Sequence, residues 1–132
     1  MKYLLDTHVL IWTLTDVKKI PTKTRALLED QRHEFFVSAV TFWEIAIKIR
    51  NGRLEPIGTW DNPIAHVDKL GFQTIPLLPD EAASSKELTE DTHFDPFDRM
   101  LIWQAIQRNM VLVSSDSQFE RFKPDGLKLL WR

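Results

Sequence analysis

The chain contains no cysteine. That removes disulfides, thiolate nucleophiles and cysteine-ligated zinc from consideration. No apolar run approaches the roughly 18 residues of a membrane span. The opening residues, Met1-Lys2-Tyr3-Leu4-Leu5-Asp6, reach an acid too soon for a signal-peptide pattern, so a cytoplasmic location is the expectation. Internal repeats and low-complexity segments are also missing. Neither sign of charge is in excess: 17 Lys and Arg face 19 Asp and Glu, a net charge of −2. This disfavours a protein that holds nucleic acid by a broad basic surface. It does not disfavour an enzyme that meets a phosphodiester through a bound metal ion, because the ion brings the positive charge with it.

What is present fits one globular domain over residues 1–132: 43% of the chain is hydrophobic and 27% charged, enough for a sizeable core. Short apolar runs read as strands at Lys2-Tyr3-Leu4-Leu5, Phe35-Phe36-Val37-Ser38, Phe72 to Leu77, Met110 to Val113 and Leu127 to Leu130. Between them lie helical patterns. One runs from Val9 through Leu14, one from Pro21 to about Arg32, and a long one from Ala39 to Arg50 that Asn51-Gly52 stops. Residues 52–63 are rich in turn formers, Ile64 to Leu70 is a short helix closed by Gly71, and Pro79 to about Leu88 is another. The last long helix opens at Pro96 and ends at Asn109, and Gln118 to Phe122 forms a helical turn. Strands alternating with helices predict an α/β sandwich with a mostly parallel central sheet flanked by helices.

Four acids occupy junctions of this pattern. Asp6 and Asp116 each stand just past a short buried strand, where open α/β sheets place their ligands. Glu44 lies inside the long helix on a stripe with Val40 and Ile47, at or near the core edge. In His93-Phe94-Asp95-Pro96-Phe97-Asp98-Arg99, Pro96 suits a helix start, Asp95 its N-cap and Asp98 the third helical position. Each acid alone has a plain structural reading. Asp6, Asp95 and Asp116 would cap helices, Asp98 would meet the helix dipole, and Glu44 would pair with Lys48 one turn on. Taken together, clustered carboxylates repel one another unless a cation is present. Oxygen ligands suit Mg²⁺ or Mn²⁺, and the chemistry implied is metal-assisted phosphoester hydrolysis.

Four stretches resemble a family. Leu4-Leu5-Asp6-Thr7-His8, Ser38 to Lys48, His93 to Arg99 and Val113-Ser114-Ser115-Asp116 are similar, in order, to the motifs of PIN domains. More narrowly they resemble VapC-type toxins of type II toxin–antitoxin systems, which are small Mg²⁺-dependent ribonucleases. The resemblance implies a Rossmann-like three-layer fold with a central parallel sheet, often a homodimer, and an antitoxin partner, for this branch often of the Phd/YefM type. It also implies that the family's acids fall on Asp6, Glu44, Asp98 and Asp116, as catalytic and metal-binding residues. Ser114 stands where the family often has Thr or Ser near the metal, and Asp95 is a weaker candidate.

Other residues have simpler expectations. Lys48 either neutralises phosphate or pairs with Glu44, and Arg99 either steadies Asp98 or contacts RNA phosphate. The four histidines offer no metal-ligand pair on one helix; His8 and His93 are expected to orient backbone or carboxylates. Trp12, Trp43 and Trp103 sit in apolar runs and are expected to pack in the core or a dimer contact. Two other function classes compete. One is a catalytically inert binding module on the same fold. The other is a haloacid-dehalogenase-like phosphatase, which would need a second acid where this chain has Asp6-Thr7-His8.

Overall fold

Five short strands carry the architecture: β1 (Lys2–Leu5), β2 (Glu34–Ser38), β3 (Gln73–Ile75), β4 (Val111–Val113) and β5 (Lys128–Leu130). The computed structural model describes every residue, Met1–Arg132. The strands form one sheet in the order β3-β2-β1-β4-β5, and every pair is parallel. Parallel strands need crossovers, and the helices supply them: α1 (Thr7–Thr15), α2 (Thr22–Leu28), α3 (Ala39–Arg50), α4 (Pro63–Lys69), α5 (Pro79–Ser84) and α6 (Pro96–Gln107).

Successive strand residues point to opposite faces. Tyr3, Leu5, Phe35, Val37, Val111 and Val113 pack on one side with Val9, Leu10 and Ile11 of α1. Leu4, Phe36 and Leu112 pack on the other with Leu101, Ile102 and Ala105 of α6. Two cores with a sheet between them are the three expected layers. They also explain why the strands read as unbroken apolar runs, since both faces are covered. Leu4, Leu5 and Leu112 are fully buried, each contributing about 1.5–3 kcal/mol.

The expected elements are present, with shorter ends. The third strand is trimmed to Gln73–Ile75, α2 stops at Leu28, and α5 gives way to a 3-10 turn over Ser85–Glu87. A 3-10 turn over Val17–Lys19 had no sequence signal, and the turn after Asp116 extends over Ser117–Asp125 with Pro124 inside it. Helix α3 ends where Gly52 takes φ +72°, and α6 ends before Asn109 at φ +54°. Both residue types tolerate the left-handed region.

A polar network fixes α6. Gln104 is fully buried; its Oε1 accepts from Ser38 Oγ at 2.5 Å, and its Nε2 donates to Pro76 O at 3.2 Å and Glu81 Oε1 at 3.1 Å. Arg108 closes on Glu81 with Nε and Nη2 at 2.7 and 3.0 Å. Every polar atom of the Gln104 side chain is matched, so removing it orphans buried groups on β2 and α5. Gln104→Leu is expected to lower unfolding free energy by about 2–3 kcal/mol in urea titration, and a loss below about 0.5 kcal/mol would show the network is dispensable.

Candidate active site

The sheet order reverses at β1. From β1 the chain moves outward through β2 to β3, then returns to the other flank for β4 and β5. At such a switch point two crossovers leave in opposite directions, and a crevice opens at the carboxyl ends of the two central strands. Leu5 pairs with Val113, so Asp6 and Ser114 are neighbours at that edge. The backbone N–H of Asp6 donates to Val113 O at 3.0 Å, extending the β1–β4 ladder by one residue.

Asp6 is the N-cap of α1, with Oδ1 accepting from the Thr7 N–H at 2.8 Å. Its Oδ2 accepts from Ser114 Oγ at 2.8 Å. The residue is only 3% exposed. Burial raises its pKa above the usual carboxylate range; the Ser114 hydrogen bond and His8 oppose that, and Glu44 adds to it. Glu44 is 6% exposed and reaches the crevice from α3. Thr7 Oγ1 donates to Glu44 Oε1 at 2.7 Å, with Thr41 Oγ1 3.3 Å away. The other oxygen of Glu44 lies 3.3 Å from Lys48 Nζ, which is also 3.5 Å from His8 Nε2. The i,i+4 pairing and the crevice-facing position therefore coexist.

Asp98 enters from the start of α6. Asp95 is the N-cap and its Oδ1 accepts the Asp98 N–H at 2.9 Å. Oδ2 of Asp98 is 2.9 Å from His93 Nε2. Burial is the main reason its pKa is pushed up to about 7; His93 pulls it down, and the charges of Asp95, Asp6 and Glu44 push it further up. Asp6, Glu44 and Asp98 thus lie within electrostatic reach of one another. Asp116 joins them indirectly. It caps the turn that follows, with Oδ1 accepting from the Gln118 N–H at 2.9 Å, and its own N–H donates to Ser114 Oγ at 3.2 Å, the hydroxyl that holds Asp6.

Arg99 and Trp43 each exclude one expected contact. Arg99 does not touch Asp98. Its Nη1 donates to the carbonyls of Glu90 and His93 at 2.8 and 3.0 Å and packs over Phe122, so it braces the loop before α6. Trp43 is not in the core: it is 59% exposed, edge-on to Phe97 at 4.9 Å, while Trp103 is buried and donates to Ser84 Oγ. Sequence alone gives no sign of Thr7 as the partner of Glu44 and Thr41, because that contact depends on how α1 lies against α3. Gln118 likewise has no local signature.

No three carboxylate or imidazole side chains close tightly enough to cage an ion by themselves. A hydrated hard cation needs only one or two carboxylates and fills its remaining positions with water. The donors are all oxygen, and their mutual repulsion is the feature a cation relieves.

A parallel, Rossmann-like α/β sheet with an acidic crevice at its switch point defines a class of protein by fold. The chain matches the PIN domain over residues 3–123 and belongs to that family. It is 25% identical over 132 residues to ribonuclease VapC22 of Mycobacterium tuberculosis (strain ATCC 25618 / H37Rv), covering 97% of each chain. Among solved structures, VapBC2 from Rickettsia felis bound to a DNA fragment from its promoter covers 100% of both chains, with a TM-score of 0.72 and 17% identity. FitAcB from Neisseria gonorrhoeae covers 97% of this chain and 96% of its own, with a TM-score of 0.62 and 20% identity. At these identities the structural likeness is one of fold.

The raised pKa of Asp98 has a consequence for stability. Its folded value of about 7 lies above the ordinary 3.8, so its contribution is fully present below pH ~4 and is lost as pH rises through about 7. In metal-free protein, the melting temperature of Asp98→Asn minus that of the wild type is expected to grow between pH 4 and 7 and to level off above 8. A difference independent of pH would show that Asp98 is not perturbed.

Proposed function

We propose that the chain is a metal-dependent endoribonuclease and the toxin of a type II toxin–antitoxin pair. The observation that carries the reading is the gathering of Asp6, Glu44 and Asp98 at the switch-point crevice, with Asp116 tied in through Ser114. Membership of the PIN domain family and the similarity to a ribonuclease support it. Asp6, Glu44, Asp98 and Asp116 would hold hydrated Mg²⁺ or Mn²⁺, one or two directly and the others through its waters. Such an ion supplies an acidified water and positive charge beside a phosphoryl group.

The chain's own residues do the rest. Ser114 and the Thr7 N–H aim the Asp6 carboxylate, and Thr7 Oγ1 aims Glu44. Lys48, half-buried beside Glu44, places one mobile cation at the rim, where an RNA phosphate would approach. No helix is long and apolar enough to cross a membrane, and the reading places the protein in the cytoplasm with RNA as its substrate. The aromatic face of Trp43 and Phe97 supports a homodimer.

An acidic crevice also tells what would block it. A cognate antitoxin, of the Phd/YefM type on the family pattern, would insert an Arg or Lys among the acids, Arg being favoured by its planar fork. Apolar antitoxin residues would pack on Val17, Leu28, Phe35, Leu70 and Phe72 in the cavity of about 470 Å³ beside α1 and α2, whose lining also includes the charged Arg25, Glu29 and Asp30. An inhibitor that does both must follow α1 for about 14 Å.

Purified protein incubated with total cellular RNA is expected to cleave it with Mg²⁺ or Mn²⁺, poorly with Ca²⁺, and not in excess EDTA. At pH ~4, where Asp98 is protonated, Asp98→Asn should fold with a stability change of about 1 kcal/mol or less; at assay pH it should remain folded and lose activity by more than about 100-fold. A folded variant that cleaves at the wild-type rate would leave Asp98 as a helix residue only, and folded wild type that cleaves no RNA would favour the inert binding module. In the antitoxin complex, replacing the inserted basic residue with Ala should restore nuclease activity while the pair remains associated. An antitoxin that inhibits equally well without any basic residue in that segment would refute the plug.

A further inference from the structure

Asp98 and Asp116 sit on different elements, α6 and the turn after β4, yet a short chain of contacts joins them. Gln118 donates its backbone N–H to Asp116 Oδ1 at 2.9 Å. Its side-chain Oε1 lies 3.3 Å from Nδ1 of His93, and Nε2 of that ring is 2.9 Å from Asp98 Oδ2. The His93 side chain is only 9% exposed. Its ring meets Phe119 and Phe122 edge-on at 5.7 and 5.8 Å. The backbone of His93 is pinned as well, its N–H donating to Glu90 Oε2 at 2.9 Å and its carbonyl accepting from Arg99 Nη1 at 3.0 Å. A ring held at its backbone, its packing surface and both nitrogens has little freedom to turn. Glutamine suits the Nδ1 side, because an amide offers both an acceptor and a donor and can satisfy that nitrogen in either tautomer. Nε2 is then free to donate to an ionised carboxylate.

We propose that His93 and Gln118 are positioning residues that fix the Asp98 carboxylate relative to Asp116, so that the two acids present their remaining oxygens to one divalent cation at a set separation. The proposal rests on the metal-dependent reading above and adds to it two residues outside the four acids. A purely structural His93 would need only volume between Phe119 and Phe122. The bridge needs a donor at the Nε2 position in particular. Partners that orient a metal-binding carboxylate or imidazole are worth 10–100-fold in metal affinity.

Two substitutions separate these needs. A glutamine amide nitrogen falls near the place of the imidazole Nε2, whereas an asparagine nitrogen reaches only the place of Nδ1. Mn²⁺ affinity of the full chain, by calorimetry or electron paramagnetic resonance, is the measurement, with melting temperature alongside. His93→Gln is expected to bind within about threefold of the wild type and His93→Asn about 10–100-fold more weakly. Gln118→Leu, which leaves the ring and its packing in place, should lose about three- to tenfold. Equal Mn²⁺ affinity of the Gln and Asn variants, whether both wild-type-like or both weakened in step with melting temperature, overturns the bridge. If neither His93 variant folds, unchanged affinity in Gln118→Leu overturns it. Wild-type protein that binds no Mn²⁺ overturns the metal centre itself, an outcome distinct from intact binding that the three substitutions fail to alter.

Discussion

Parallel pairing of β1 with both β2 and β4 brings the strands' carboxyl ends to one edge, and the reversal of strand order at β1 keeps that edge open there. The acids follow from this. The segments that follow β1 and β4 emerge at the crevice, Asp6 directly after Leu5 and Asp116 three residues after Val113. The cost is electrostatic. Asp6 is buried and Asp98 half-buried, and each has its charged form disfavoured, first by desolvation and then by neighbouring acids. Hydrogen bonds from Ser114, the Thr7 N–H and His93 offset part of that cost. What they leave over is a raised pKa at both acids.

The strands were legible because both faces of the sheet are covered, which turns β1, β2 and β4 into plain apolar runs. The start of α6 was legible because Asp95, Pro96 and Asp98 occupy the three positions that helix-start chemistry specifies. Strand order was not legible, since pairing is a contact between distant segments that no local pattern records. For the same reason the sequence could place Asp6 and Asp116 on one edge only on condition that β1 and β4 were neighbours. Trp43 lies in an apolar run yet is exposed; its neighbours Glu44 and Ile45 are buried, and a step of one residue turns it to the solvent side. Arg99 stands next to Asp98 in sequence yet points to the loop carbonyls, because residues one apart on a helix do not share a face.

The Asp-Pro-Phe-Asp-Arg segment therefore divides its work. Asp95 sets where α6 begins and Asp98 faces the crevice. Arg99 ties down the loop that carries His93, which in turn touches Asp98. Arg99 thus acts on the acid through two intermediaries. Its guanidinium also caps two carbonyls that the loop would otherwise leave unpaired.

The alignment of Glu44 with Asp98 follows from one buried contact. Ser38 caps α3 and donates to Gln104, the ninth of the twelve residues of α6. From that contact Glu44 lies six residues along α3 and Asp98 six residues back along α6. At 1.5 Å per residue both displacements are about 9 Å. If the helices run antiparallel, the two acids arrive at the same level. Trp43 against Phe97 satisfies that condition, since each precedes its acid by one residue and the two rings meet at 4.9 Å. The Ser38–Gln104 hydrogen bond is thus a register pin. A slip of α6 by a single residue would move Asp98 by about 1.5 Å along its axis and rotate it by about 100° away from the crevice. A fully buried glutamine amid leucine and isoleucine has its explanation here: an apolar residue would leave Ser38 and Glu81 without this partner and would not specify the register that brings two carboxylates on separate helices to one level.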